Sequence, residues 1–336
     1  MPPTVKIEKP ALPTIWLDTF VVIKLTKIKK GEALQRIEVE RGSRLGELIN
    51  QLVGAGKLLC PESDQEEEYA AQRLDDAVHG MFAELSHGIS LTHRRGILDA
   101  HIFKGMEAFI KKSDTIYLPS SSYFHDDPVR RLEEVRKQRF IVTVGPLKSS
   151  EMLIRRAKAK EEISQRWEQF RKEFVAKGQT YEKQLELEKH AYWNGLVELL
   201  RDFEAKMLSG QNDFWAFMGA TGPLLYRRVW SDLGGQPPGW KGVDEFFRSD
   251  YFAELPLPFI GCRLAADLVT GNEPIQPGDS MDVDLLSVAL PVAHYAVTDR
   301  RMELRIKNRG LDAKCGVRVF SMSTIDGLFT ELEKLR

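Results

Sequence analysis

Four acidic positions in this chain stand where strands should end or helices begin. Asp18 follows the apolar run 14–17 and is followed by Thr19 and a second apolar run. Asp299 follows residues 295–298, which read as a brief buried strand. Asp282 precedes Leu285, Leu286, Val288, Ala289 and Leu290, whose spacing predicts a short buried helix with Asp282 at its N-cap. Asp284 lies two residues further on and can stand in for Asp282. The fourth position is in the run 61–68, where Pro61 and Ser63 suit a helix start. Ala70, Ala71, Leu74, Val78, Met81 and Leu85 would make the apolar stripe of that helix. Projecting the stripe backwards places Glu67 on the inward face, with Glu66 and Glu68 to either side.

Open α/β sheets bind ligands beyond the C-terminal ends of their strands. Carboxylates gathered there cannot all stay ionised without compensation. An oxygen-only set calls for a hard cation, Mg²⁺ or Mn²⁺. Neither His nor Cys lies in these motifs, which disfavours zinc. Taken one at a time, helix caps and turns account for each aspartate equally well.

The motifs in order are LDT at 17–19, the acidic run 61–68, Asp282, TD at 298–299, and the tail GLDAKCGVRVFSMSTIDGLFTELEKL. As a set they resemble the PIN-like nuclease family over roughly the first third and last quarter of the chain. The resemblance implies an α/β fold with a central, mainly parallel twisted sheet flanked by helices. It also implies metal-dependent phosphodiester hydrolysis that leaves a 5′-phosphate and a 3′-hydroxyl. On that reading Asp18 is the central metal ligand, Asp282 and Asp299 complete the shell, and Glu67 holds a second ion or positions water. Thr19 and Thr298 would donate hydrogen bonds to these acids. The substrate implied is nucleic acid, with single-stranded RNA favoured over DNA.

The elements that must position these acids follow from periodicity. A helix is expected over 21–30, and another over 44–53 after a break at Gly42 and a cap at Ser43. Residues 57–60 read as a short strand, which gives a parallel crossover from the strand at 14–17. Helical patterning returns over 93–110, residues 114–119 suit a short strand, and Asp127 caps a helix with Pro128 at its first position. The β-branched run 140–144 predicts a further strand. Residues 148–208 are charged, proline-free and helically patterned, with Gly178 as the point of division between two helices. GATG at 219–222 leads into no GK[ST], so it reads as a turn between helices rather than a phosphate loop. Helices are expected to start at 243 and to run over 255–271, with Arg263 the one cation of the latter. A last strand over 317–320 and a last helix over 323–335 close the chain. Residues 13–125 and 256–336 would thus form a discontinuous domain, interrupted by a helical insertion over 126–255, a long hairpin or arm.

Composition narrows the function classes. With 43% hydrophobic and 29% charged residues the chain suits a globular protein with a substantial core. No apolar run reaches the roughly 18 residues of a membrane span, and the N-terminus has no hydrophobic signal core, so a cytoplasmic protein without membrane contact is expected. The three cysteines are widely spaced and odd in number, which supports neither a disulfide framework nor a zinc site. A net charge of −1 excludes a uniformly basic nucleic-acid coat but not a local groove. Two functions remain: a nuclease, or a catalytically weak PIN-like scaffold whose helical insertion recruits a protein partner or a second copy. A doubly wound nucleotide-binding enzyme would need a glycine-rich phosphate fingerprint, which the sequence lacks.

Overall fold

The computed structural model describes residues 2–65, 76–137, 150–210 and 213–336. Glu66, Glu67 and Glu68, and the strand expected over 140–144, lie outside the described residues. Strands β1 (Thr4–Ile7) and β2 (Ile15–Leu17) lead into helices α1 (Thr19–Lys29), α2 (Arg36–Gly54), α3 (Asp76–Ser86) and α4 (Arg94–Ile110). Then come β3 (Thr115–Leu118), α5 (Pro128–Lys137), and the long helices α6 (Ser150–Ala176) and α7 (Tyr181–Leu208). Helices α8 (Phe214–Asp232), α9 (Trp240–Phe247), α10 (Asp250–Ala253) and α11 (Pro256–Thr270) carry the chain onward. It ends with α12 (Asp279–Val292), β4 (Tyr295–Val297), α13 (Arg300–Asn308), α14 (Leu311–Cys315), β5 (Arg318–Phe320) and α15 (Ile325–Glu333).

The fold is mixed α/β and mostly helical, built on a small parallel sheet in the order β2–β4–β5. Leu17 lies opposite Val297, and Val297 opposite Phe320, so the three strands end in one row. On the free side of β2, Thr14 makes a parallel bridge to Leu59, and Glu62 makes another to Ser90. The short strand expected over 57–60 is thus reduced to single bridges. A second parallel pair, β1 with β3, stands apart from this sheet.

Each strand of the β2–β4–β5 sheet is only three residues long, and the sheet stands because both its faces are covered. Alternate residues point to opposite sides. Ile15, Leu17, Val297 and Phe320 join a core with α1, α2, α4 and α15. Trp16, Ala296 and Val319 join the other core, with α11, α12, α13 and α14. Helices α6 and α7 are joined by a turn that contains Gly178, whose φ is +63°, as its position predicts. Both limbs pack on α11, and α6 also packs on α12. Trp193 of α7 stacks on Phe247 of α9 with ring centroids 4.5 Å apart and planes 5° apart. Trp193, Tyr226, Trp230 and Phe246 share one core with Ile97, Leu98 and Met106 of α4, so the hairpin is seated on the α/β layers.

The structure differs from the sequence reading at several places. Helix α2 runs straight through Gly42 and Ser43, because the missing side chain at Gly42 makes room for Ile28 and Leu25 of α1. GATG lies inside α8 instead of forming a turn: Gly219 faces Leu199 and Gly222 faces Arg95, so the glycines permit close approach. Helix α12 begins three residues before Asp282, with Gly278 at the N-cap, which puts Asp282 in the first turn. The Arg263 guanidinium lies 3.4 Å from the Phe259 ring centroid and donates to the Phe259 carbonyl. Asp127 does cap α5, accepting from Val129 and Arg130 at 2.9 and 3.2 Å. Among the described residues no helix is long and apolar enough to cross a membrane.

Candidate active site at the strand tips

Asp18 sits at the tip of β2 and is 3% exposed. Its backbone N–H continues the sheet by donating to the Val297 carbonyl at 2.9 Å. One carboxylate oxygen caps α1 by accepting from Phe20 N at 3.4 Å. The other accepts from the Thr298 hydroxyl at 2.7 Å. Thr298 therefore does what its place at the neighbouring strand tip suggests. Thr19 does not: its buried hydroxyl finds no partner among the described residues.

Asp299 begins α13 as its N-cap, and its Oδ1 accepts from Arg301 N at 2.6 Å and Met302 N at 3.0 Å. The same element ties in the start of α12. The Arg301 guanidinium reaches the Glu273 carboxylate, the Pro274 carbonyl and the buried Asp279 carboxylate, the last at 3.4 Å. Asp279 also accepts from Gln276 N at 2.7 Å. Burial pushes the Asp279 carboxyl up, against the pull of the Gln276 N–H and of Arg301. The first turn of α12, with Asp282, is thereby fastened to the first turn of α13, with Asp299.

Asp282 and Asp284 are two positions apart on a helix, so their side chains diverge by about 200°. Asp284 turns toward α4, where its Oδ1 pairs with Arg94 at 3.0 Å. Asp282 is half-buried on another face of the same turn. The two are alternatives, as the sequence left them, and cannot both point at one ion.

The segment leading to the candidate glutamates is anchored at the same edge. Gln65, 1% exposed, donates from its side-chain amide to the Leu17 carbonyl at 2.7 Å, one residue before Asp18. Its amide oxygen accepts from Ser63 N at 3.3 Å, and Trp16 Nε1 donates to the Ser63 hydroxyl at 3.3 Å. Glu66, Glu67 and Glu68 follow directly in the chain.

The sequence reading missed several residues here. Asp64 accepts from Arg94 N at 2.8 Å and so caps α4, alongside His93, whose ring nitrogen accepts from Arg95 N. Glu303, one turn into α13, is fully buried and takes bonds from Arg300 at 2.8 Å, Lys307 at 2.6 Å and the Thr324 hydroxyl at 3.0 Å. Burial pushes its carboxyl up, but the bonds from Lys307, Ser321, Arg300 and Thr324 outweigh that and leave it below its ordinary value. Asp64 lies inside the acidic run already singled out, so its place was readable. Glu303 had no local signal, since a glutamate between arginines on a helix reads as a solvated face.

Among the described residues, no three His, Cys, Asp or Glu side chains are grouped so as to hold one metal ion. Asp18, Asp282, Asp284 and Asp299 are all described, so these acids by themselves form no such group, while Glu66, Glu67 and Glu68 lie outside the described residues. The three thiols offer no alternative chemistry, since burial pushes Cys60, Cys262 and Cys315 up to about 12. Comparison of the chain with protein-family models, curated proteins and solved structures finds no match.

Proposed function

We propose that this chain is a metal-dependent nuclease of PIN-like architecture that hydrolyses phosphodiester bonds, with single-stranded RNA as the favoured substrate. The observation that carries the reading is the contact between Asp18 and Thr298, which joins two ends of the chain at adjacent parallel strand tips. The row of tips supports it further, because acids at the C-terminal edge of a parallel sheet face the ligand side. Asp18, Glu67, Asp299 and one of Asp282 or Asp284 would hold Mg²⁺ or Mn²⁺. Such an ion would supply water activation and charge neutralisation on the phosphate. The protein's own part is to fix Asp18 through the Thr298 hydroxyl and to bring the acidic run to the same edge through Gln65. A cytoplasmic setting suits three free thiols.

The test is cleavage of mixed-sequence single-stranded RNA and DNA with Mn²⁺, with and without chelator. Hydrolysis that chelator abolishes, and that Asp18→Asn abolishes without unfolding the protein, supports the nuclease. Hydrolysis indifferent to both overturns it.

One observation favours the scaffold reading. Both Asp18 and Asp299 already serve as helix caps, and Asp299 spends one oxygen on two backbone N–H groups. Mn²⁺ binding without turnover on RNA or DNA would decide for that reading.

A further inference from the structure

Two cavities adjoin at the N-terminal part of α4, and the ion pair of Arg94 and Asp284 belongs to the lining of both. The larger, about 320 Å³, has the polar residues Ser63, Thr92, His93, Arg94 and Arg95 and the carboxylates of Asp64 and Asp284 in its lining, beside the apolar Ala159, Leu285 and Val288. The smaller, about 180 Å³, runs between the α6–α7 hairpin and the α11–α12 pair. Its walls include Trp167, Tyr192, Leu257, Ala265 and Val283, with Glu188 and Asp284 as its two carboxylates. Arg94 and Asp284, in contact at 3.0 Å, are the two residues common to both linings, so a ligand that occupies both cavities passes beside this pair.

We infer that this pair of cavities is a subsite for one nucleotide unit, the base entering the chamber of Trp167 and Tyr192 and the phosphate resting on His93 and Arg94. The inference takes its ligand class from the nuclease reading, while the cavities stand without it. Together the chambers fall in the size range of small-ligand sites, roughly 300–1,000 Å³. Two aromatic rings, Trp167 and Tyr192, in this lining favour a flat ring over a flexible chain. Glu188 accepts from the Gln184 amide at 2.7 Å and Asp284 pairs with Arg94 at 3.0 Å, and each carboxylate has further lone pairs to which the ring N–H and amino groups of a base can donate. On the other side, the Arg94 Nε–H is buried and has no acceptor among the described residues. Its guanidinium reaches Asp284 through an amino nitrogen, so a phosphate can take the Nε–H donor. His93 stands half-exposed beside it, with the Thr92 and Ser63 hydroxyls on the same wall. The Asp64 carboxylate accepts from Arg94 N at 2.8 Å and lies 3.7 Å from His93 Nε2, so its charge favours a protonated His93 as the phosphate's partner.

The placement has a consequence for the inserted hairpin. Trp167 comes from α6, and Glu188 and Tyr192 from α7. The hairpin then supplies the base-reading wall while the strand tips supply the acids, which gives the insertion a role in substrate choice.

The experiment is calorimetric titration of the whole chain with the four nucleoside 5′-monophosphates, in chelator and without metal, so that no cleavage can contribute. Saturable binding is expected, at least tenfold weaker in Trp167→Ala and in Arg94→Gln, and at least tenfold weaker for ribose 5-phosphate. Should Trp167→Ala fail to fold, Glu188→Gln replaces it, and a changed order of preference among the four bases is the expected result. No binding by the folded chain, or binding that none of these variants alters, overturns the subsite. Binding with these variant effects upholds it even where Mn²⁺-dependent cleavage is absent and the nuclease reading falls. Cleavage without monophosphate binding does the reverse.

Discussion

The Thr298 hydroxyl donates to the Asp18 carboxylate across 2.7 Å, although the two residues are 280 positions apart. They meet because β2 and β4 are parallel neighbours in register, so the residue after each strand faces the other. Both side chains are buried. Replacing Thr298 by Val keeps the shape and removes the donor. The loss should cost about 1–3 kcal/mol in urea unfolding, the penalty of a buried acceptor deprived of a partner. Cleavage by Thr298→Val should fall by at least tenfold, whereas Thr298→Ser should retain most of it. Equal activity in the Val and Ser variants would remove the hydroxyl from the mechanism.

Asp299 does two jobs on the proposed reading, and substitution can separate them. As the N-cap of α13 it accepts from two backbone N–H groups. Asp299→Ala should therefore cost roughly 1 kcal/mol of stability, while Asp299→Asn, also a good cap, should cost only a few tenths. An ion, however, needs the charge. Asp299→Asn is expected to melt near the wild type and yet lose Mn²⁺-dependent cleavage. A fully active Asn variant would reduce Asp299 to a cap.

Gln65 offers a test of the acidic run that touches none of its acids. Its amide holds the Leu17 carbonyl at the strand tip and the Ser63 N–H within its own loop. Gln65→Ala leaves both without this partner and should cost about 1–3 kcal/mol by chemical denaturation. If the run supplies a metal ligand, cleavage should fall further than the fraction unfolded explains. Activity that simply tracks the folded fraction would detach the run from the site.

What the sequence made legible, and what it did not, divides along physical lines. Asp18 and Asp299 were readable because an apolar strand followed by a capping acid is a local pattern, complete within six residues or so. Gly178 was readable for the same reason. The start of α12 was misplaced because two aspartates, Asp279 and Asp282, compete for one cap signal, and Gly278 takes the position. Gly42, Gly219 and Gly222 look like breaks but serve contacts with Ile28, Leu199 and Arg95. Those partners come from other elements, and no local window contains them. Strand β1 escaped notice because its alternating, half-exposed residues gain order only by pairing with β3, more than a hundred residues away. The cavities at the N-terminal part of α4 depend on five helices meeting and left no mark in any single stretch.

Glu303 is the buried charge that locks α13 beneath the strand tips. Arg300 and Lys307 reach it from the same helix, and the Thr324 hydroxyl reaches it from the segment that follows β5. Its carboxyl is held below the ordinary value, so its contribution is present above the unfolded pKa near ~4.3 and lost as pH falls through the folded one. Glu303→Gln should cost about 2 kcal/mol at pH 7, less than a fully enclosed pair because both cations can rehydrate. The gap between variant and wild type should close in acid. A gap that is constant down to pH 3 would mean that shape, not charge, is what Glu303 supplies.

Glu188 has the opposite sign. It faces the smaller cavity, and burial pushes its carboxyl up, opposed by the Gln184 amide that donates to it at 2.7 Å. A raised acid favours the fold while protonated: that contribution is full below the unfolded value near ~4.3 and is lost as pH climbs through the folded one. At pH 7 the ionised side chain is therefore a burden on stability. Glu188→Gln keeps an oxygen for the Gln184 donor and removes the charge, so its melting temperature at pH 7 should exceed that of the wild type. The two curves should converge near pH 4, where the wild-type carboxyl is itself neutral. The same variant weakens or redirects monophosphate binding if the cavity reads a base. A residue whose replacement stabilises the protein while damaging ligand recognition is kept for the ligand. Glu188→Gln leaving both melting and binding unchanged would show that the carboxyl is solvated and takes no part in either.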